Sequence, residues 1–188
     1  MRDAIWLTSE RLGLRRFTGD DLELLVRLYS DPEVTQFVGG PKALAKTEEL
    51  LSRRILAYYE EFPGLGIWAG VELATGRVTG MHLLNHIMGE PDIQVGYVMF
   101  KEFWGRGYAT EMAVRILRYG YTELQLPRIV AITDLPHVNS QKVLLKSGLH
   151  RKADRALPHP QYADLGPLAW FERDAADWLA EDAARRAG

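Results

Sequence analysis

Apolar and polar positions along the chain alternate between two periods. Residues 11–17 (RLGLRRF) alternate apolar and polar positions through Leu12 and Leu14, the period of a half-buried strand, and end on Phe17. Thr18 stands three residues before Asp21, an acidic relative of the capping box. Leu22, Leu25, Val26 and Tyr29 follow at helical spacing until Asp31-Pro32 ends the run. Leu44, Thr47, Leu51, Ile55, Tyr58 and Phe62 predict a second helix that stops at Pro63-Gly64. Segments 66–73 and 78–87 read as strands around a hairpin turn at 74–77. Segment 92–100 reads as a third strand, with Ile93, Val95, Tyr97 and Met99 on one face and Gln94, Gly96, Val98 and Phe100 on the other. Ala109, Met112, Ala113, Ile116, Leu117 and Leu124 mark a long amphipathic helix, and Arg128–Thr133 (RIVAIT) a buried strand. A helix over 139–147 ends at Gly148, a natural residue after a helix C-terminus. Weaker strands at 149–155 and 165–171 flank Pro158 and Pro160, and a last helix covers 174–186. Hairpins plus one strand–helix–strand unit predict an α+β chain with a mixed sheet and helices packed on it.

Composition narrows the class. The 188 residues are 47% apolar and 26% charged, enough to bury a core, and without repeats or linkers they read as a single domain over 1–188. Lys and Arg number 23 against 25 Asp and Glu, so the basic excess of a nucleic-acid binder is missing. No apolar run reaches the ~18–20 residues of a membrane span, and Met1-Arg2-Asp3-Ala4 does not open a signal peptide. A cytoplasmic protein without membrane attachment is therefore expected. With no cysteine, thiolate catalysis, disulfides and cysteine metal sites drop out, and no metal-ligand cluster stands out elsewhere.

The segment richest in chemistry is 94–111, QVGYVMFKEFWGRGYATE. A strand runs into Trp104-Gly105-Arg106-Gly107-Tyr108-Ala109-Thr110 and a helix starts at once. Glycines permit close backbone approach, successive N–H groups converge, and a helix N-terminus adds roughly half a positive charge. That is an anion site suited to a pyrophosphate. It is neither a Walker loop, lacking Gly-Lys-Ser/Thr, nor a full G-x-G-x-x-G. Read alone, Gly-x-Gly before a helix could equally be a plain tight turn.

This stretch resembles the acyl-CoA pyrophosphate loop of the GNAT N-acetyltransferases, Gln/Arg-x-x-Gly-x-Gly/Ala. Its form W-G-x-G-Y-A-T-E is similar to the RimJ/RimL-type branch, the ribosomal-protein-alanine N-acetyltransferases. Thr8-Ser9-Glu10-Arg11-Leu12 with Asp20-Asp21 and Asp31-Pro32-Glu33-Val34 resembles that branch's opening. Val138-Asn139-Ser140-Gln141-Lys142 with Lys146-Ser147-Gly148-Leu149 resembles its CoA-side helix. The resemblance implies a GNAT fold: a mixed, mostly antiparallel twisted sheet, helices on both faces, splayed beside the cofactor strand. It implies acetyl-CoA as co-substrate, an amine as acceptor, no metal, and direct attack through a tetrahedral intermediate without an acyl-enzyme. Backbone amides of Gly105, Arg106, Gly107, Tyr108, Ala109 and Thr110 would hold the pyrophosphate, and main-chain groups of Val98, Met99 and Phe100 would align the pantetheine and face the thioester oxygen. Asn139 and Ser140 would lie near the pantetheine. Ser140 would donate a proton to the leaving thiolate, although it is equally readable as a helix cap. In many members a tyrosine takes that role, and Tyr97 is the one carried here beside Gln94.

Two positions depart from the pattern. Gln94-Val95-Gly96-Tyr97 stands where the family commonly has Glu-x-Gly-Tyr, and an amide can orient an amine or a water but accepts no proton at neutral pH. His137 stands where many relatives have Asn. A replacement base would come from His82, His86, Glu102 or Asp134, each of which also reads as packing, surface charge or a strand end. The leading acceptor is a peptide or protein N-terminal amine. Small amines such as aminoglycosides or polyamines follow, and a CoA-binding sensor without turnover is the reading from another class. The oligomeric state stays open, with a homodimer a common arrangement.

Overall fold

The computed structural model describes residues 4–187. Its contacts form two compact units: residues up to Leu83 with Tyr97–Tyr108, and Leu84–Gly96 with the chain from Ala109 onward.

In the first unit, β2 (Leu12–Arg16) pairs antiparallel with β1 (Leu7–Thr8) and β3 (Gly66–Glu72), setting Leu14 opposite both Leu7 and Gly70. Every residue of β3 is buried, which explains why GIWAGVE reads as a continuous run and not as an alternation. The Thr18–Asp21 signal opens a 3-10 turn that leads into α1 (Leu22–Ser30). There Asp21 accepts from the Thr18 N–H at 2.8 Å, while the Arg15 guanidinium forks onto the same carboxylate at 2.9 and 2.7 Å. Burial pushes this carboxyl up, but hydrogen bonds from Arg15 and Thr18 outweigh it and hold Asp21 below the usual range. Asp31-Pro32, which ends α1, also starts α2 (Pro32–Thr35), with Asp31 accepting from the N–H groups of Glu33 and Val34.

The second long helix is not uniform. α3 (Leu44–Glu49) passes into a π-wound stretch (Leu50–Leu56) and then α4 (Ala57–Glu61). The buried residues are Thr47, Leu51, Ile55 and Tyr59, a strict step of four. That step exceeds the α-helical 3.6, and the wider π winding takes up the difference, as in the Ala57 N–H bond to the Ser52 carbonyl. Tyr59 therefore faces inward where the pattern pointed to Tyr58. Its hydroxyl donates to the Ile67 carbonyl and accepts from the Phe17 N–H.

In the second unit, β6 (Arg128–Thr133) pairs antiparallel with β8 (Ala169–Asp174) along its whole length. Ile87, Val130, Tyr162, Leu168 and Trp170 pack as one buried cluster. α5 (Tyr108–Thr122) buries Met112, Ala113, Ile116 and Leu117, while Leu124 falls beyond its end. α6 (Val138–Lys146) is followed by β7 (His150–Arg151), and α7 (Ala175–Ala187) closes the chain. The expected strand over 149–155 shrinks to β7 plus a bridge from Arg155 to Leu168. A short 3-10 turn at Pro160–Tyr162 interrupts the hairpin, because neither Pro158 nor Pro160 can donate to a ladder.

β4 (Val78–His86) and β5 (Ile93–Met99) run through both units. The hydrogen-bonded order is β1-β2-β3-β4-β5-β6-β8-β7, with β5 and β6 parallel in a register that pairs Gln94 with Val130. The sheet is thus mixed and mostly antiparallel, as expected. Among the described residues no helix is long and apolar enough to cross a membrane.

Asp21→Ala strands the Arg15 charge in a site where only 11% of its side chain is exposed. The variant should lose about 3 kcal/mol of stability, read as a lower urea midpoint at unchanged m-value.

Candidate active site

The chain leaves β5 through a 3-10 turn at Lys101–Phe103, rounds 104–107 and enters α5. Two contacts hold the departing strand. The Trp104 indole N–H donates to the Met99 carbonyl at 2.9 Å, and the Phe100 N–H donates to the Thr79 carbonyl at 3.0 Å. At Gly80 a Cβ would lie 2.2 Å from the Val98 carbonyl oxygen, so only glycine lets β4 press on the end of β5 this closely. Val98, Met99 and Phe100 are buried there.

Gly105 and Gly107 both adopt left-handed conformations, φ +73° and +78°, on either side of Arg106. Around Gly105 an added Cβ would meet nothing within 4 Å. An open backbone cradle therefore precedes the positive end of a 15-residue helix. Tyr108 is buried, and Ala109 and Thr110 are half-buried in the first turn. These residues fit an anionic group such as a pyrophosphate.

Behind the turn lies a polar cluster that sequence patterning did not reveal. Glu72, at the end of β3 and only 7% exposed, accepts from the Tyr108 hydroxyl at 2.5 Å and from the Thr75 hydroxyl at 2.5 Å. Arg106 Nη1 stands 3.5 Å from the same carboxylate. Hydrogen bonds from Thr75 and Tyr108, with the nearby Arg106 and Arg77 charges, hold the Glu72 carboxyl below its ordinary range. The same bond to Glu72, aided by desolvation, pushes the Tyr108 phenol up. Arg11 Nη1 donates to the Arg106 carbonyl at 3.1 Å, and its guanidinium lies 4.6 Å over the Tyr108 ring. The one available signal was a glutamate closing an otherwise apolar strand.

In the second unit, half-buried Gln94 donates from Nε2 to Asn85 Oδ1 at 3.4 Å, a neutral amide pair. Asn139 is exposed and Ser140 half-buried in the first turn of α6. His137 is the N-cap residue, so Ser140 lies inside the helix and is not its cap. Burial lowers the proton affinity of His137 and raises that of Asp134.

Among the candidate bases, Glu102 is exposed and ion-paired with Arg77 at 3.3 Å. His82 is fully buried, its ring 6.4 Å from half-buried Tyr97 and neither ring nitrogen hydrogen-bonded. Desolvation alone pushes it down to about 3, so it stays a neutral, weakly basic imidazole, and the packed reading of His82 holds.

The sequence profile of the Acetyltransferase (GNAT) domain matches residues 11–150, and the chain belongs to this family. The N-acetyltransferase YoaA of Bacillus subtilis (strain 168), itself uncharacterized, is 30% identical over 154 residues, spanning 78% of this chain and 83% of its own. A spermidine N-acetyltransferase from Vibrio cholerae, solved with CoA and spermine, superimposes with TM-score 0.70 at 14% identity, covering 90% of this chain and 98% of that one. RimL, a ribosomal L7/L12 alpha-N-protein acetyltransferase solved with coenzyme A, gives TM-score 0.73 at 14% identity over 90% of this chain and 97% of its own.

Because His82 titrates near 6.5 when unfolded and about 3 when folded, the unfolded chain binds the extra proton between those values. Stability should fall as pH drops through this window, by up to about 1.4 kcal/mol per pH unit for one proton. His82→Leu should flatten this limb of the urea-derived stability profile, and an undiminished slope would assign it to other groups.

Proposed function

We propose that this GNAT acetyltransferase moves the acetyl group of acetyl-CoA onto a primary amine, in the manner of the RimJ/RimL-type branch, with a peptide or protein N-terminus as acceptor. The observation that carries the acetyl-CoA reading is the paired left-handed glycines, Gly105 and Gly107, opening directly onto the N-terminus of α5. Amides from Gly105 to Thr110 would hold the pyrophosphate. The main chain of Val98, Met99 and Phe100, pinned by Thr79 and Trp104, would orient the pantetheine arm and the thioester oxygen. Acetyl-CoA supplies an activated acyl group. The amine nitrogen forms the new C–N bond, the C–S bond breaks, the amine loses a proton and the thiolate gains one. Ser140 on α6 is our candidate donor of that proton, with Asn139 beside it in sequence and Tyr97 as the alternative donor.

The acceptor class follows from proton chemistry. Gln94 is tied to Asn85 in a neutral pair where the family commonly carries a carboxylate. An α-amine with pKa near 7.8 is about 10–15% neutral at pH 7, whereas a lysine amine near 10.4 is about 0.04% neutral. A site with an amide in place of the base suits the first and handicaps the second. Asp134, its carboxyl raised by burial, is the base we would test next.

Release of CoA thiol from acetyl-CoA across N-terminal peptides, lysine peptides, aminoglycosides and polyamines tests the reading, since the cysteine-free chain contributes no thiol. Peptide-dependent release with a matching acceptor mass is the expected result. Acetyl-CoA binding with no transfer would favour a sensor. At 100 times its dissociation constant acetyl-CoA should also stabilise the fold by about 2.7 kcal/mol. Gly107→Trp, which forces a bulky residue to φ +78° beside Arg11, should abolish that shift. Gln94→Glu should keep α-amine turnover and raise turnover of lysine peptides, because the Asn85 amide can turn its NH2 toward a carboxylate. Complete inactivity of this variant would mean that the amide itself is required.

A further inference from the structure

The carboxylate of Glu72 stands behind a turn whose backbone is built for an anion. A negative charge beside a phosphate site lowers anion affinity by simple Coulomb repulsion. Its hydrogen bonds say what it does instead. Tyr108, the first residue of α5, and Thr75, in the β3–β4 turn, both donate to it, and Arg106 leans its guanidinium toward it from between the two glycines. With Arg106 drawn back, its carbonyl accepts from Arg11 Nη1. In a planar trans peptide the C=O and the following N–H point in opposite directions. A carbonyl of Arg106 turned onto Arg11 therefore sends the Gly107 N–H the other way, away from Arg11.

We infer that Glu72 is a positioning residue for the phosphate-binding turn: by holding the Tyr108 hydroxyl and the Arg106 side chain it sets the direction of the backbone donors that receive the pyrophosphate. The inference rests on the acetyl-CoA reading of that turn and deepens it. Glu72 acts through Tyr108 and Arg106, and Arg11 completes the brace from the start of β2.

Electrostatics and positioning predict opposite signs for one substitution. Glu72→Gln removes a negative charge near the anion, so charge alone would tighten acetyl-CoA binding. Loss of the brace would weaken it, by about tenfold, the scale of a hydrogen bond to a charged group. Calorimetric titration of the full chain with acetyl-CoA, and with acetyl-pantetheine at millimolar concentration, reads the difference. The expected result is weaker acetyl-CoA binding by Glu72→Gln with unchanged acetyl-pantetheine binding, since the latter carries no phosphate. Tyr108→Phe, which removes only the hydroxyl, should weaken acetyl-CoA in the same direction and guards against a Glu72 variant that fails to fold. Equal or tighter acetyl-CoA binding in both variants overturns the inference alone. Parallel loss of both probes assigns Glu72 a merely structural role and overturns it as well. A wild-type chain that binds no acetyl-CoA overturns this inference together with the reading beneath it.

Discussion

The reversal from β5 into α5 is the constraint around which the rest of this chain is arranged. Between Met99 and Tyr108 the backbone must end a strand, turn twice through left-handed glycines and begin a helix. The glycines alone do not hold that geometry, since they resist neither rotation nor solvent. It is held from within by Trp104 on the Met99 carbonyl, and from outside by Arg11 on the Arg106 carbonyl and by Glu72 on Tyr108. Local freedom and long-range restraint together preorganise the turn. That is the general route by which a backbone cradle binds without losing affinity to its own reordering.

Two polar sites, one in each compact unit, carry no charge. Gln94 and Asn85 pair as amides, and His82 is kept uncharged by burial. An imidazole buried with neither nitrogen bonded is costly, of order 1–3 kcal/mol for an unsatisfied polar group. Its edge packs against Gly70, where a Cβ would lie 2.9 Å from Nε2. The absent side chain on β3 and the ring on β4 thus fill one space. This packing keeps His82 a neutral, weakly basic ring.

Charged groups elsewhere serve the fold. Arg15 and Asp21 tie β2 to the start of α1, and Arg118 and Asp182 tie α5 to α7, each through a forked pair of hydrogen bonds. A bidentate guanidinium fixes orientation as well as distance, and so it fixes how these elements dock.

What the sequence determined by itself was whatever depends on contiguous residues. The Gly-x-Gly before a helix, the Thr18–Asp21 cap, the Asp31-Pro32 stop and the strand Arg128–Thr133 were all legible, because dihedral preference, capping and side-chain periodicity act over a few positions. The order of these motifs also carried the family. The tertiary structure decided what depends on residues that the fold brings together. Glu72 meets Tyr108 from 36 positions away, and Arg11 meets Arg106 from 95. The apolar spacing of this helix pointed to Tyr58, whereas the buried step of four runs through Thr47, Leu51, Ile55 and Tyr59. Only the docking of Tyr59 between Phe17 and Ile67 showed that the helix winds wider to honour it. Periodicity says which side of an element is apolar, but a charge finds its partner only when the sheet has set strand beside strand.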